Sequence, residues 1–343
     1  MTFRTSDLDL DQLTDEELEP LTRLVNELRQ EQQPRSKALS IEEFRVFSNF
    51  PGSIRRRRAV YTADGQIAAL LSTSFPDDGT NPGILSVDIK VAPQHRRRGL
   101  ATQLLALAAE TAQELGRSKI TGSVFDTVPA AMAFSDAVGA SGVLEMHMNS
   151  LAIPDVDIGL LKRWVDEGPS RAPDYSVEVI EGDWPEDLIE RMGHLFYILE
   201  RDSPTPEDYE PREWSPDRIR QMQQMFAAST DGLLAVATHT ASGEPVGMSH
   251  LLRRHNDPTT WQVTFTIVDD LHRGHALGKW VKGAVTVAAM ERWEGGEYAE
   301  TTNAYTNEAM LGINHEMGFS HEYTMTEVEA SLETVRSYLS GRI

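Results

Sequence analysis

Val91-Ala92-Pro93-Gln94-His95-Arg96-Arg97-Arg98-Gly99-Leu100-Ala101 joins the end of an apolar strand directly to the start of a helix. The strand reads Ile84-Leu85-Ser86-Val87-Asp88-Ile89-Lys90-Val91, with apolar residues at 85, 87, 89 and 91 in the alternation of a half-buried strand. The helix behind it places Leu100, Leu104 and Leu107 on one face. Three arginines and a glycine stand between the two elements. The first N–H groups of a helix have no internal partner and sit at the positive end of its dipole, so this junction is a ready anion site. Glycine at the junction lets a ligand approach the backbone closely.

The arrangement occurs twice. Ile267-Val268-Asp269-Asp270-Leu271-His272-Arg273-Gly274-His275-Ala276-Leu277-Gly278 repeats it, with Val91, His95, Arg96 and Leu100 each 177 residues before Val268, His272, Arg273 and Leu277. Leu277, Trp280, Val281, Ala284, Val285 and Ala288 then continue at helical spacing. The register holds outside the motif. Gly65 precedes Gly243 by 178 residues and Gly139 precedes Gly318 by 179. So small a drift across most of each half identifies one fold present twice.

Composition agrees. A chain of 343 residues exceeds the usual single domain, and a hydrophobic content of 40% supplies two cores. Two domains are expected, 1–153 and 174–343, with 154–173 as a linker carrying a helical piece at about 156–166. The chain has no cysteine, hence no disulfide and no thiolate nucleophile or metal ligand. No apolar run approaches the ~20 residues of a membrane span, and the first residues do not read as a secretory signal. A cytoplasmic protein away from membranes is expected. The net charge of −21 argues against a nucleic-acid partner. Arg55-Arg56-Arg57-Arg58 reads as a solvated, partly paired strand face.

The first half is expected to run helix 15–31, helix 41–47, strands 55–62 and 66–74 around an Asp64-Gly65 turn, the motif strand and helix, strand 119–125, helix 129–138 and strand 143–153. The second is expected to run strand 175–180, helices 185–200 and 216–228, strands 233–239 and 245–252, the motif strand 261–268 and its helix, strand 298–302, helix 307–316 and a strand near 319–325. A last helix from about 330 to 339 is expected to have no counterpart in the first half.

Arg96-x-x-Gly99-x-Ala101, with its Val-x-Pro prefix and its strand–helix setting, resembles the Gln/Arg-x-x-Gly-x-Gly/Ala signature of the GNAT acetyltransferase superfamily. The whole layout resembles the tandem form found in actinobacterial acetyltransferases. The resemblance implies an α/β (α+β) architecture of two tandem GNAT folds, each a mixed, mostly antiparallel sheet flanked by helices. Their fourth and fifth strands splay around the pantetheine arm of acetyl-coenzyme A. It implies cofactor contacts from Ile89, Val91, Arg96, Arg97, Arg98, Gly99, Leu100, Ala101 and Thr102 in the first copy. In the second copy they fall to Val268, Arg273, Gly274, His275, Ala276 and Gly278.

The implied reaction moves an acetyl group from acetyl-CoA to the amine of a small, cationic acceptor. Asp88, opposite the apolar face of its strand, is the expected base. The family's proton donor to the departing thiolate is a tyrosine. Ser135 stands at that position in the first copy and Asn314 in the second, both departures from the pattern. The acidic stretch Glu200-Arg201-Asp202-Ser203-Pro204-Thr205-Pro206-Glu207-Asp208-Tyr209-Glu210-Pro211-Arg212-Glu213-Trp214 is the expected acceptor contact, through Glu207, Asp208, Tyr209 and Trp214. No metal is expected, and the oligomeric state, a homodimer included, stays open. The competing reading is a non-catalytic sensor or scaffold that holds acyl-CoA in one or both copies.

Overall fold

A computed structural model describes residues 3–202 and 209–342. The chain begins with β1 (Arg4–Leu8), α1 (Asp15–Gln32), α2 (Ile41–Ser48), β2 (Ser53–Tyr61), β3 (Ile67–Pro76) and β4 (Ile84–Val91). It continues with α3 (Leu100–Glu114), β5 (Lys119–Phe125), α4 (Pro129–Val138), β6 (Ser141–Ala152) and α5 (Ile158–Arg171). Then come β7 (Tyr175–Glu181), α6 (Glu186–Ile189), α7 (Gly193–Asp202), α8 (Pro216–Ala227), β8 (Thr230–His239), β9 (Pro245–Arg254) and β10 (Asp257–Val268). The last elements are α9 (Leu277–Arg292), β11 (Tyr298–Ala304), α10 (Glu308–Met317), β12 (Ser320–Ser331) and α11 (Leu332–Ser340).

Two compact units result, and they are not the two halves expected from the sequence. The first holds residues 3–145 and 323–342 with Tyr209; the second holds 146–202 and 210–322. In the first unit the strand order is β1-β2-β3-β4-β5-β12, with β4–β5 parallel and the other neighbours antiparallel. In the second it is β7-β8-β9-β10-β11-β6, with β10–β11 parallel and the rest antiparallel. Both are mixed, mostly antiparallel sheets. Each unit takes its last strand from the other end of the chain: β12 pairs β5 from Met325↔Phe125 to Ser331↔Lys119, and β6 pairs β11 from Met146↔Ala304 to Ala152↔Tyr298.

Each exchanged strand brings a helix with it. Leu161 of α5 is buried with Val281 and Val285 of α9 in the second unit, and Val335 and Leu339 of α11 are buried with Leu104 and Ala108 of α3 in the first. The stretch 154–173 is therefore a helix of the second core. Gly168 makes the close approach possible, since a Cβ there would fall 2.3 Å from the Trp280 indole. The Gly168-Pro169 pair reads as a break in the sequence, yet α5 carries both within its last turn. The final helix α11, expected to have no counterpart, is the first unit's equivalent of α5.

Local chemistry explains the other boundaries. Thr14 and Glu17 form a reciprocal capping box that starts α1, and Ser40 with Glu43 does the same for α2. Strand β1 escaped the sequence reading because Arg4-Thr5-Ser6-Asp7-Leu8 is polar and short. The helix expected over 185–200 is broken into α6 and α7, where Gly193 lets the Trp214 carbonyl come within 2.6 Å of where a Cβ would stand.

Candidate functional site

The motif turns have the same backbone in both units. Arg97 and Gly99 have φ of 61° and 80°, while Gly274 and Ala276 have φ of 86° and 57°. These pairs again stand 177 residues apart. A left-handed residue just before the first helical one turns the chain sharply, so the free N–H groups of α3 and α9 face outward at the turn. Ala276, at the place of Gly99, sits in the left-handed region, which costs a non-glycine residue roughly 1–2 kcal/mol. Strain kept at one place in both copies marks a functional turn.

The motif arginines staple the turn to its strand. Arg96 Nε donates to the Val91 carbonyl at 3.3 Å and Arg273 Nε to the Val268 carbonyl at 3.2 Å. Arg96 also grips Glu31 of α1 through both terminal nitrogens, one at 2.7 Å, and that hydrogen bond holds the Glu31 carboxyl below its usual range. The Arg96 guanidinium is thus occupied. Arg97 is exposed and has no side-chain partner among the described residues.

In the first unit β4 and β5 pair only through Ile84↔Lys119, Leu85↔Ile120 and Ser86↔Thr121, and then part. A cavity of about 480 Å³ follows the opening. Val87, Ile89 and Val91 line one side, Thr121, Gly122, Ser123 and Val124 the other, and Arg96, Arg97, Gly99, Leu100, Ala101 and Thr102 the mouth. Gly122 allows the strands to come close, since a Cβ would lie 3.0 Å from the Val87 carbonyl oxygen. Buried Ser135 lines the wall on α4. Tyr338 of α11, which sequence reasoning missed, lines it too, its hydroxyl 3.3 Å from Thr102 Oγ1. Arg98 is exposed and is not part of the lining. Asp88 lies outside the cavity on the other side of its strand, exposed and ion-paired with Lys90.

The second unit repeats the opening. β10 and β11 pair from Thr260↔Tyr298 to Val263↔Thr301 and then part around a cavity of about 500 Å³ lined by Val268, Arg273, Gly274 and Gly278. His275 and Ala276 do not line it. Here the turn's charge is already met: Arg273 pairs with Asp202 and, at 2.8 Å, with Asp270, and Arg201 reaches both aspartates as well. These arginines hold the Asp202 carboxyl low against the desolvation that would raise it. His272 Nδ1 lies 2.9 Å from the Tyr175 hydroxyl, and the His275 ring packs 5.3 Å from Tyr175. The second unit also carries a bulge that the first lacks, at Thr264 between Val263 and Phe265. The exposed Thr264 hydroxyl is 2.9 Å from Nδ1 of buried His250, whose imidazole is pushed down to about 3 by burial and is therefore neutral.

Asn314 is buried behind this cavity and accepts a hydrogen bond from Lys282, which lines it. Lys282 is fully buried, its Nζ 3.8 Å from Met310 Sδ and 5.3 Å from the Phe319 ring centre, and burial pushes its ammonium down to about 7. The sequence reading passed over it, because a lysine amid Trp280, Val281, Ala284 and Val285 reads as an outward residue. Its only signal was its place inside the apolar stripe.

Of the expected acceptor contacts, Glu207 and Asp208 lie outside the described residues, and Tyr209 is half-buried. Trp214 is built into the second unit's packing. Its indole N–H donates to Glu200 at 2.9 Å, its ring stacks on Phe196 at 4.8 Å, and the Arg218 guanidinium lies 4.3 Å from its centre. Glu200 also pairs with Arg212 at 3.0 Å.

Residues 21–139 match the model of the Acetyltransferase (GNAT) family. The fold of the whole chain is that of two GNAT domains in tandem. Its fold is similar to that of a tandem GNAT protein from the clavulanic acid biosynthesis pathway, at 22% identity with a TM-score of 0.78, covering 96% of this chain and 99% of that one. A GCN5-related N-acetyltransferase from Sphaerobacter thermophilus is similar at 14% identity and a TM-score of 0.63, covering 96% of each chain. Saccharomyces cerevisiae N-myristoyltransferase with bound myristoyl-CoA is similar at 10% identity and a TM-score of 0.59, covering 95% of this chain and 79% of that one. No curated protein sequence matches the chain significantly. Among the described residues no helix is long and apolar enough to cross a membrane.

Proposed function

We propose that the protein transfers an acetyl group from acetyl-CoA to the amine of a small acceptor, and that the first unit binds the coenzyme. The observation that carries this reading is the pairing of an unpartnered Arg97 and outward N–H groups at the start of α3 with a cavity that runs from there between β4 and β5. A pyrophosphate suits the mouth and a slender apolar-walled channel suits a pantetheine arm. Bound acetyl-CoA supplies an activated thioester; the chain supplies position and polar contacts. Ser135, buried in the wall, is the hydroxyl placed to donate toward a departing sulfur. Past Ser86 and Thr121 the facing edges of β4 and β5 lose their shared ladder, which frees backbone N–H groups to meet an oxyanion. Asp88 is the base proposed from its strand position, on the face opposite the cavity.

For the second unit the reading differs. Arg273 is balanced by Asp202 and Asp270, so that turn is a poorer phosphate site. This favours a second unit that holds an acyl-CoA weakly or without transfer, with Lys282 in the cavity wall and Asn314 buried behind it. Release of free thiol from acetyl-CoA against a panel of small amines tests the proposal. Hydrolysis at the amine-free rate with every amine would contradict it.

A further inference from the structure

The first unit's sheet has one apolar face and one polar face, and the polar face is organised. Directly opposed residues of neighbouring strands share a face. By that rule Arg55, Ser74, Ser86, Thr121 and Glu329 form one row across β2, β3, β4, β5 and β12. A second row holds Arg57, Ser72 and Asp88 on one side of the strand opening and Ser123 and Glu327 on the other. The opposite face carries Leu71, Leu85, Val87 and Ile120 in the core with α3, and Arg56 reaches Glu114 of α3 on that side at 3.0 Å. Helix α1 covers only the Leu70 end of the polar face, where Leu24 and Leu28 pack. Ser86, Asp88 and Ser123 are left exposed in the middle.

The two rims carry opposite charge that the fold balances only in part. Arg55 and Arg57 are half-buried and donate to backbone carbonyls, Arg55 to Phe50 at 2.7 Å and Arg57 to Ser48, with Asn49 Oδ1 3.1 Å from Arg57. Neither reaches a carboxylate among the described residues. Burial pushes both guanidiniums below their usual range; at Arg57 repulsion by Arg55 adds to this, and the nearby charges of Asp11 and Asp9 offset part of it. On the far rim Glu327 is half-buried with no partner among the described residues, and burial pushes its carboxyl up. Beside it Glu329 lies 3.0 Å from Lys119, off the line of a hydrogen bond. Charges desolvated without a partner cost stability, so a fold retains them where a ligand completes them.

Resting on the acyltransfer reading above, we infer that this trough is the acceptor site and that the acceptor is a zwitterion, its anionic group at Arg55 and Arg57 and its amine at Glu327. Five strands span about 19 Å, a width that takes a small amino acid-sized molecule together with the side chains of the two rims. The position suits transfer. Lys90, Thr121 and Ser123 belong both to the trough and to the lining of the coenzyme cavity, so the strand opening connects the two. Glu327 and Glu329 come from β12, so the last strand of the chain completes the first unit's site.

The test uses the full-length protein with acetyl-CoA and follows thiol release against glycine, β-alanine and γ-aminobutyrate, their methyl esters, and putrescine. The expected result is turnover with an amino carboxylate and a loss of about tenfold or more in kcat/KM on esterification, the effect of one desolvated charge-assisted contact. Arg57→Gln should erode that preference of acid over ester. The near-isosteric Glu327→Gln, which asks little of the fold, should raise the KM of the amino carboxylate about tenfold. Turnover of esters or putrescine as fast as the free acids overturns the trough assignment and leaves acyl transfer standing. So does a preference that survives either variant. No thiol release with any amine overturns the transferase reading and the trough with it.

Discussion

Lys282 Nζ donates to Oδ1 of Asn314, both buried behind the second unit's cavity, and Asn314 Nδ2 in turn donates to Asn303. A fully buried ammonium loses its hydration, and a neutral amide returns only part of it. The depressed value of about 7 follows from that deficit.

This predicts a stability that depends on pH in a known direction. Unfolded, Lys282 titrates near the ordinary lysine value of 10.5; folded, burial brings it down to about 7. Between these values the unfolded chain binds the extra proton, so the contribution of Lys282 to stability improves as pH rises from 7 toward 10 and is flat below 7. Urea unfolding of wild type against Lys282→Met at pH 6, 7, 8 and 9 measures it. The difference should shift toward wild type by at most about 1.4 kcal/mol per unit above pH 7. A difference independent of pH would mean that Lys282 stays charged, with water at its side.

Ala276 and Gly99 occupy the same left-handed position before α9 and α3. Ala276→Gly should therefore stabilise the protein by roughly 0.5–1 kcal/mol, and Gly99→Ala should destabilise it by about as much. Nothing lies within 4 Å of a Cβ at Gly99, so the effect there is conformational alone. Urea midpoints of the two variants should move in opposite directions.

Gly168→Ala should cost roughly 1–3 kcal/mol, because the added methyl meets the Trp280 ring and either the ring or α5 must shift. A loss below about 0.5 kcal/mol would place α5 outside the second core. Tryptophan fluorescence of the folded protein reports the same contact.

The duplication and the two strand-to-helix turns were legible because they rest on local chemistry: an apolar strand, a small residue and a helix start at fixed offsets. The strand exchange was not. β6 and β12 occupy equivalent places in the repeat, and both alternate weakly, with exposed Glu145, His321 and Glu322 among their residues. Nothing in such a strand says which sheet it joins. The acidic loop was legible only in part, for a related reason. Its charge density was visible, but the pairing of Glu200 with Arg212 and Trp214, across 12 and 14 residues, is a product of folding. Arg55 and Arg57 read as solvated surface until the register set Arg56 and its Glu114 partner on the other face. Arg96, Arg97 and Arg98 read alike in the sequence, and only folding shows that Arg96 is taken up by Glu31 while Arg97 lines the cavity.

Calorimetric titration of coenzyme A into wild type, Arg97→Glu/Gly99→Asp and Arg273→Glu tests the central claim most directly. The first unit's turn is the one with an unpartnered arginine, so the double variant should lose more than about tenfold in affinity, and wild-type binding should weaken with salt. Arg273→Glu, at a turn already balanced by Asp202 and Asp270, should leave the strongest binding event in place. Intact affinity in the double variant, with binding lost in Arg273→Glu, would contradict the assignment and move the coenzyme site to the second unit.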